Sequence, residues 1–196
     1  MTPSNFAFLA GFIIFVGLRG VYKQRTMRNE VTVRRMDRIE LALLITLMPG
    51  AFLLPLLYLF TPWLSFADYR LPLFGSIVGV VLMAAALGLF WRSHADLGRN
   101  FSQTLEMRKG HDLIMHGVYR SLRHPMYASL WLWFLAQGLM LHNWLAGWYG
   151  LAAFGLIYFV RVPREEQMMT EFFGSKYLDY MRRTGRLFPK TRRPAD

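Results

Sequence analysis

The sequence predicts an all-α integral membrane protein, a bundle of five transmembrane helices, on three observations. Hydrophobic residues make up 54% of the 196-residue chain, a high share for a soluble domain of this length. They are concentrated in long runs, which is not typical of a nucleic-acid-binding protein, so no nucleic-acid partner is expected. The formal charge of +11 lies between these runs, as expected at the anionic cytoplasmic face of a membrane. The absence of Cys excludes disulfides, a thiol nucleophile and a thiolate metal site.

Five apolar segments are predicted to cross the bilayer. The second is long enough to span about 33 Å as a helix, which exceeds the hydrocarbon core. The first carries charge only on its C-terminal side, the reverse of a cleaved signal peptide, so it is interpreted as an uncleaved span. The last two are short, but a tight antiparallel pair can tilt. The predicted spans are 6–21, 39–60, 71–91, 126–141 and 144–160, in a single domain over 1–196.

Prolines and small residues mark two of these spans. Pro49 and Pro55 lie inside the second span, where each removes a helical hydrogen bond and predicts a kink or an unwound turn. Gly75, Gly79 and the small residues of 84–88 lie along the third span. Small residues allow close approach of helices in lipid, so the third span is predicted to be central in the bundle.

The distribution of basic residues predicts the orientation. Seven Lys or Arg lie between Arg19 and Arg38, six between Arg92 and Arg123, and nine from Arg161 onward, with Arg70 alone elsewhere. A five-span path puts these three segments on one side of the membrane, and the positive-inside rule makes that side cytoplasmic. The N-terminus is therefore predicted outside, and the C-terminus inside.

The polar segment 92–125 ends in a cluster that is suited to binding an anion. Pro125 disfavours a helical conformation at the preceding residue, so the fourth span is expected to begin there. Arg123 and His124 then lie at a helix N-terminus, where free N–H groups and the dipole favour negative charge. A ligand carboxylate or phosphate fits this place. The alternative is that Arg123 contacts lipid phosphates and His124 caps the helix.

Paired carboxylates follow the fifth span. Glu165 and Glu166 need a cationic partner, either a nearby Arg or a ligand ammonium. Because the last two spans are antiparallel neighbours, Glu165 and His124 are expected close together. Together they offer an anion site and a cation site, as an amino-acid-like zwitterion requires. No metal is predicted, because no carboxylate recurs at ligand spacing beside the three histidines His111, His116 and His142.

The ordered motifs of residues 90–190 resemble the isoprenylcysteine carboxyl methyltransferase family, whose wider group includes phospholipid methyltransferases. The resemblance rests on residues 111–119, 123–127, 161–166 and 173–177. It implies an S-adenosyl-L-methionine pocket at the cytoplasmic ends of the last two spans, formed with the 92–125 loop and the C-terminal segment. It also implies that Arg161 faces the methyl acceptor and that Glu165 binds the cofactor's ammonium group. The implied cofactor-binding residues are His111, Leu113, Ile114, Tyr119, Arg123, His124, Pro125, Met126, Tyr127 and Glu165.

The resemblance also limits the acceptor. A carboxylate needs no general base, and Arg161 is able to hold it, so a lipophilic carboxylate or lipid-modified substrate from the bilayer is expected. A phospholipid amine, a small thiol, a membrane reductase using NADPH and a non-enzymatic lipid-binding scaffold are the alternatives. Pro163 leaves two possibilities for Arg161 and Glu165: one unbroken helix with both on one face, or a new helix that starts at the proline.

Overall fold

The computed structural model describes residues 2–26, 31–34, 38–98, 106–108 and 113–190. Six helices and two short strands form this part of the chain. The helices are α1 (Pro3–Thr26), α2 (Arg38–Phe60), α3 (Leu73–Leu97), α4 (Pro125–Leu141), α5 (Trp144–Phe173) and α6 (Ser175–Arg183), and the strands are β1 (Val31–Arg34) and β2 (Glu106–Arg108).

Among the described residues, four helices are long and apolar enough to cross a membrane: Pro3–Tyr22, Arg38–Phe60, Leu73–Leu97 and Trp144–Phe173. The chain is therefore a multi-pass integral membrane protein. Helix α4 has 17 residues, about 26 Å at 1.5 Å per residue, which is shorter than the bilayer core. Five membrane crossings remain a prediction, although α4 is apolar and packs in the bundle.

All five long helices nevertheless run from one end of the bundle to the other. At one end, Ser4 Oγ donates to the Met140 carbonyl oxygen at 2.9 Å. At the other, the rings of Tyr22 and His94 lie 4.9 Å apart. The end that holds the start of α4 is called the motif end below.

Helices α3 and α5 continue beyond the predicted membrane spans. The third helix continues past the predicted end at 91 to Leu97, so the first residues of the predicted 92–125 loop are helical. The fifth continues through Pro163 to Phe173, well past 160. Pro163 removes one helical hydrogen bond and its ring crowds the carbonyl of Phe159, but its fixed φ is compatible with a helix and α5 continues through it. Of the two possibilities at Pro163, the unbroken helix is observed.

Strands β1 and β2 pair antiparallel, with a register irregularity between Val31 and Val33. The sequence analysis did not predict this small sheet. It joins the segment after α1 to the segment after α3, at the motif end. The prediction of an all-α bundle is confirmed for the helices that form the membrane part.

The core is aromatic and is centred on α4, where 10 of the 17 residues are buried, against 7 of 25 in α3. The prediction of a central third span was therefore wrong, although α3 packs closely on α4. Phe15 packs between Phe90 of α3 and Trp133 of α4, with both ring centroids at 4.5 Å. A Cβ on Gly79 would lie 2.8 Å from the Met140 side chain, so α3 and α4 approach closely there. Such contact between helix backbones is the role of small residues in lipid.

The prolines of α2 accompany a local unwinding, as expected. Residues Pro49–Leu53 form a π-helical turn. A Cβ on Gly50 would lie 2.6 Å from the Gly150 Cα, so α2 and α5 touch at this point. The buried Gln137 of α4 donates to the carbonyls of Gly50 at 2.9 Å and Ala146 at 2.7 Å. Gln137 thus connects α4 to the π-helical turn of α2 and to a second π-helical turn, Trp144–Trp148, at the start of α5.

Asn143 closes the hairpin between α4 and α5 at the other end. Its Oδ1 accepts from the backbone N–H groups of Leu145 and Ala146, which caps α5. Its Nδ2 donates to Leu64 O at 2.7 Å and to Asp68 Oδ1 at 2.8 Å. The residue therefore fixes the loop between α2 and α3 against the hairpin.

Candidate functional site

The start of α4 is organised as the sequence predicted. His124 is the N-cap residue and Pro125 occupies the first turn, but the His124 side chain makes no capping hydrogen bond. Just before it, Gly117–Arg120 forms a 3₁₀ turn in which Gly117 has φ of +57°. The backbone N–H of Val118 donates to Asp96 Oδ2 of α3 at 2.8 Å. The end of α3 thereby positions the turn that carries Tyr119.

The segment after α6 packs along this turn. The Arg123 N–H donates to Gly185 O at 2.8 Å, and the His124 N–H donates to Arg186 O at 3.1 Å. The Tyr180 hydroxyl of α6 donates to the Tyr119 carbonyl oxygen at 2.6 Å. Burial raises the pKa of Tyr180, so the phenol stays protonated and remains a donor. The C-terminal segment is thus part of the motif end.

Leu113, Tyr177 and Tyr180 form a separate small apolar cluster beside this turn. Burial raises the pKa of Tyr119 and of Tyr177. Neutral phenols keep this cluster free of additional charge. The predicted neighbours Leu113 and Tyr119 are therefore buried supports of the turn, while Ile114 is half-buried.

Glu166 is the electrostatic centre of the motif end. Its Oε1 accepts from Arg123 Nε at 3.0 Å and lies 3.2 Å from His124 Nε2, and its Oε2 accepts from Arg186 Nη2 at 2.5 Å. The hydrogen bond that Arg186 donates to Glu166 raises the pKa of Arg186. The anion at the start of α4 is therefore the chain's own carboxylate. For Glu166, the sequence-based alternative of a nearby Arg partner is the observed one.

Glu165 faces a different set of groups. Its Oε2 accepts a hydrogen bond from the Tyr127 hydroxyl at 2.9 Å. Arg161 lies four residues earlier on the unbroken helix α5, hence on the same face. The Arg161 Nη2 in turn lies 3.4 Å from Glu40 Oε1 of α2. The side chains of Arg161 and Glu40 are only 14% and 4% exposed, so this ion pair lies inside the bundle.

A shallow groove lies between α2 and α5 beside Arg161. Four apolar side chains line its wall, and the charged residues lie together with them. A lipophilic molecule with an anionic head group matches this combination of apolar wall and guanidinium. The lining residues are Glu40, Leu43, Leu44, Ile157, Val160, Arg161 and Arg164.

The predicted site residues are brought together in two groups. Tyr127 contacts Glu165, on the same face of α5 as Arg161, whereas Arg123 and His124 contact Glu166. The rings of His124 and Tyr127 join the two groups, with their centroids 5.6 Å apart. Pro125 is buried and Met126 is half-buried at the helix start. His111 lies outside the described residues. Within the described part of the chain, no three His, Asp or Glu side chains gather in a way that fits a metal ion.

Sequence reasoning missed Glu40 and Arg186. Glu40 is a carboxylate in the first turn of an apolar span, and intramembrane charges are rare enough to suggest a function. That signal was available but did not identify a partner. Arg186 had no sequence signal, because its contact with Glu166 depends on how the C-terminal segment folds back.

Comparisons with known proteins place these residues in a family context. The model of the isoprenylcysteine carboxyl methyltransferase family matches residues 77–171. Protein-S-isoprenylcysteine O-methyltransferase A of Arabidopsis thaliana is 32% identical over 110 residues, covering 53% of this chain and 50% of that protein. The probable protein-S-isoprenylcysteine O-methyltransferase of Oryza sativa subsp. indica is 32% identical over 126 residues, covering 61% and 64%. The chain thus spans about half to two thirds of these relatives.

A solved structure shares the fold. The eukaryotic intramembrane Ras methyltransferase, an isoprenylcysteine carboxyl methyltransferase, superposes with a TM-score of 0.56 at 20% sequence identity. The match covers 96% of this chain and 68% of that one. It therefore extends over helices α1 and α2, which lie outside the region matched by the family model.

Proposed function

Because residues 77–171 match the model of the isoprenylcysteine carboxyl methyltransferase family, we propose that this protein transfers a methyl group from S-adenosyl-L-methionine to a carboxylate. The acceptor is a lipophilic or lipid-modified molecule held in the membrane. The observation that carries the proposal is the arrangement of Tyr127, Glu165 and Arg161 beside the groove between α2 and α5.

The donor set fits the ammonium group of the cofactor. Glu165 is half-buried, and Tyr127 holds one of its carboxylate oxygens. A carboxylate so oriented offers its other lone pairs to an ammonium ion. When bound, the cofactor would supply an activated methyl group on its sulfonium. The other predicted cofactor neighbours are the residues of the 113–127 segment and His111.

Arg123 and His124 act on the cofactor side through their common partner. Both hold Glu166, which keeps the start of α4 and the C-terminal segment together around the proposed pocket. Arg123 donates from Nε to Glu166 and from Nη1 to the carbonyls of Met181 and Thr184, so Nη2 is the part of its guanidinium proposed to approach a ligand. This retains the predicted role of both residues near the cofactor and adds a structural one.

Arg161 is proposed to orient the acceptor. A guanidinium binds a carboxylate in a planar, bidentate way that fixes the direction of its oxygens. A carboxylate is already a nucleophile at neutral pH, so no side chain has to remove a proton. The apolar wall of the groove would take the lipid chain and keep water from the reacting oxygen. The protein's contribution is therefore alignment and exclusion of water.

The test is a methyl-transfer assay with purified protein, tritiated S-adenosyl-L-methionine and a total membrane lipid extract to which N-acetyl-S-farnesyl-L-cysteine has been added. We expect a lipophilic labelled product that releases volatile label as methanol on treatment with base, as a carboxyl methyl ester does. Label that survives base indicates methylation of an amine or thiol. Absence of any labelled product, with NADPH binding instead, contradicts the proposed function.

Arg161→Ala provides the matched variant for this assay. It is expected to cut turnover by about 100-fold or more, because a guanidinium–carboxylate contact with the reacting group is lost. Binding of S-adenosylhomocysteine, measured by isothermal titration in detergent, is expected to change less than about threefold, since Arg161 contacts the acceptor. Loss of S-adenosylhomocysteine binding together with turnover would show that Arg161 serves the cofactor instead.

A further inference from the structure

Glu40 is a charged residue for which the proposed reaction has no use. It lies in the first turn of α2 and is 3% exposed. A carboxylate inside a membrane bundle carries a large desolvation cost unless it is paired. Its Oε1 lies 3.4 Å from Nη2 of Arg161, the residue proposed to hold the acceptor. Glu40 therefore lies beside the same guanidinium that is proposed to bind the carboxylate of the acceptor.

In the groove, the carboxylate of Glu40 and the carboxylate of the acceptor compete for Arg161. Glu40 and Arg161 line it together with Leu43, Ile157 and Val160. An acceptor whose lipid chain follows this apolar wall presents its carboxylate to the same guanidinium. Two carboxylates at one guanidinium repel each other, so the acceptor binds less tightly while Glu40 keeps its place beside Arg161.

The geometry of the ion pair favours exchange. The 3.4 Å separation of Nη2 and Oε1 is longer than a strong charge-assisted hydrogen bond, for which about 2.7–2.9 Å is usual. A bidentate acceptor carboxylate would make a better contact with Arg161 than Glu40 makes. After methylation the acceptor is a neutral ester. Glu40 then interacts more strongly with the Arg161 guanidinium than the ester does.

We propose that Glu40 is a displaceable counter-ion, which occupies Arg161 until an acceptor carboxylate replaces it and which returns when the neutral ester forms. This inference rests on the proposed function. Glu40 thereby lowers the affinity for the acceptor and favours release of the product. It is a specificity-determining residue, because only an anionic head group competes with it for Arg161.

The test compares the binding of two probes to the full-length protein in detergent, in the presence of S-adenosylhomocysteine. The probes are N-acetyl-S-farnesyl-L-cysteine, which carries the carboxylate, and its neutral carboxamide. Glu40→Gln is expected to bind the carboxylate about fivefold or more tightly than the wild type, a difference of about 1 kcal/mol. The carboxamide affinity is expected to change less than about twofold. Glu171→Gln, an exposed carboxylate on α5, serves as the control and is expected to change neither.

A second variant covers the case in which Glu40→Gln does not fold. Glu40→Asp keeps the charge but moves it away from Arg161 by the length of one methylene. The affinity for the carboxylate probe is therefore expected to rise by about twofold, and the affinity for the carboxamide is not expected to change. Unchanged or weaker carboxylate binding in the folded variants overturns the proposal, because Glu40 would then support Arg161. The proposed function fails separately, if wild-type protein binds the carboxylate probe but transfers no methyl group to it.

Discussion

At the residue scale, two adjacent carboxylates serve different purposes because a helix turns about 100° per residue. Glu165 accepts from Tyr127 and faces Arg161, whereas Glu166 is bound by Arg123, His124 and Arg186. Glu166 is thus a buried structural anion with several cationic partners. Glu165 accepts a hydrogen bond from the Tyr127 side chain, and it is the carboxylate that we propose binds the ammonium group of the cofactor.

This division predicts opposite results for two conservative variants. Glu165→Gln is expected to weaken S-adenosylhomocysteine binding by about 10-fold or more, because a hydrogen bond to a charged group is lost, while stability is kept. Glu166→Gln is expected to lower the free energy of unfolding by about 3–5 kcal/mol, because Arg123 is left buried without its counter-charge. Titration calorimetry and denaturant unfolding in detergent measure the two effects.

Glu171→Gln, one turn beyond on the exposed side of α5, is the control for both measurements. Its hydrogen bond from Gln167 lies on the surface, where such pairs contribute about 0.5 kcal/mol or less. If Glu165→Gln left the affinity unchanged and Glu166→Gln lowered it without loss of stability, the two assignments would be reversed.

At the element scale, α2 touches α5 at a point where proline and glycine are adjacent in α2. Pro49 lies at the start of the π-helical turn in α2, and Gly50 lies against the backbone of Gly150 in α5. Gln137 then bonds to the carbonyl of Gly50. This contact sets the spacing of α2 and α5, which are also the two walls of the proposed acceptor groove. Packing at mid-bundle therefore determines the width of the groove.

Gly50→Ala tests this dependence. The added Cβ would meet the Gly150 backbone at 2.6 Å, which forces α2 away from α5, so a loss of about 1–3 kcal/mol in stability is expected. The affinity for the acceptor is expected to fall as well, because α2 and α5 form the walls of the proposed groove. Gly88→Ala in α3 is the matched control, because its Cβ would have no atom within 4 Å. That variant is expected to be neutral or slightly stabilising, since Ala is the better helix former. Equal effects of the two changes on thermal unfolding would contradict the packing role of Gly50.

At the scale of the whole molecule, the chain alternates between the two ends of the bundle. The start of α1, the 61–72 loop and the α4–α5 hairpin share one end, through contacts such as that of Asn143 with Asp68. The motif residues and the C-terminal segment share the other. The concentration of basic residues at the motif end predicts that this end is cytoplasmic.

The absence of native cysteine makes this orientation directly testable. Single cysteines replacing the exposed Phe66 and Lys176 are expected to react from opposite sides of a membrane vesicle with an impermeant maleimide. A third variant, at Thr2, is expected to react from the same side as Phe66. Labelling of Phe66→Cys and Lys176→Cys from one side would contradict a path in which α4 crosses the membrane.

The sequence by itself determined the membrane class, the positions of the helices apart from the C-terminal ends of α3 and α5, and the motif segments that lie near one another at one end. These depend on local composition and on the periodicity and charge of short segments. Only the tertiary structure separated Glu165 from Glu166, paired Glu40 with Arg161, and brought Arg186 back to the start of α4. These contacts join residues distant in the chain or depend on the rotational phase of a helix through Pro163. Local sequence does not encode either quantity, because both follow from how whole helices pack against one another.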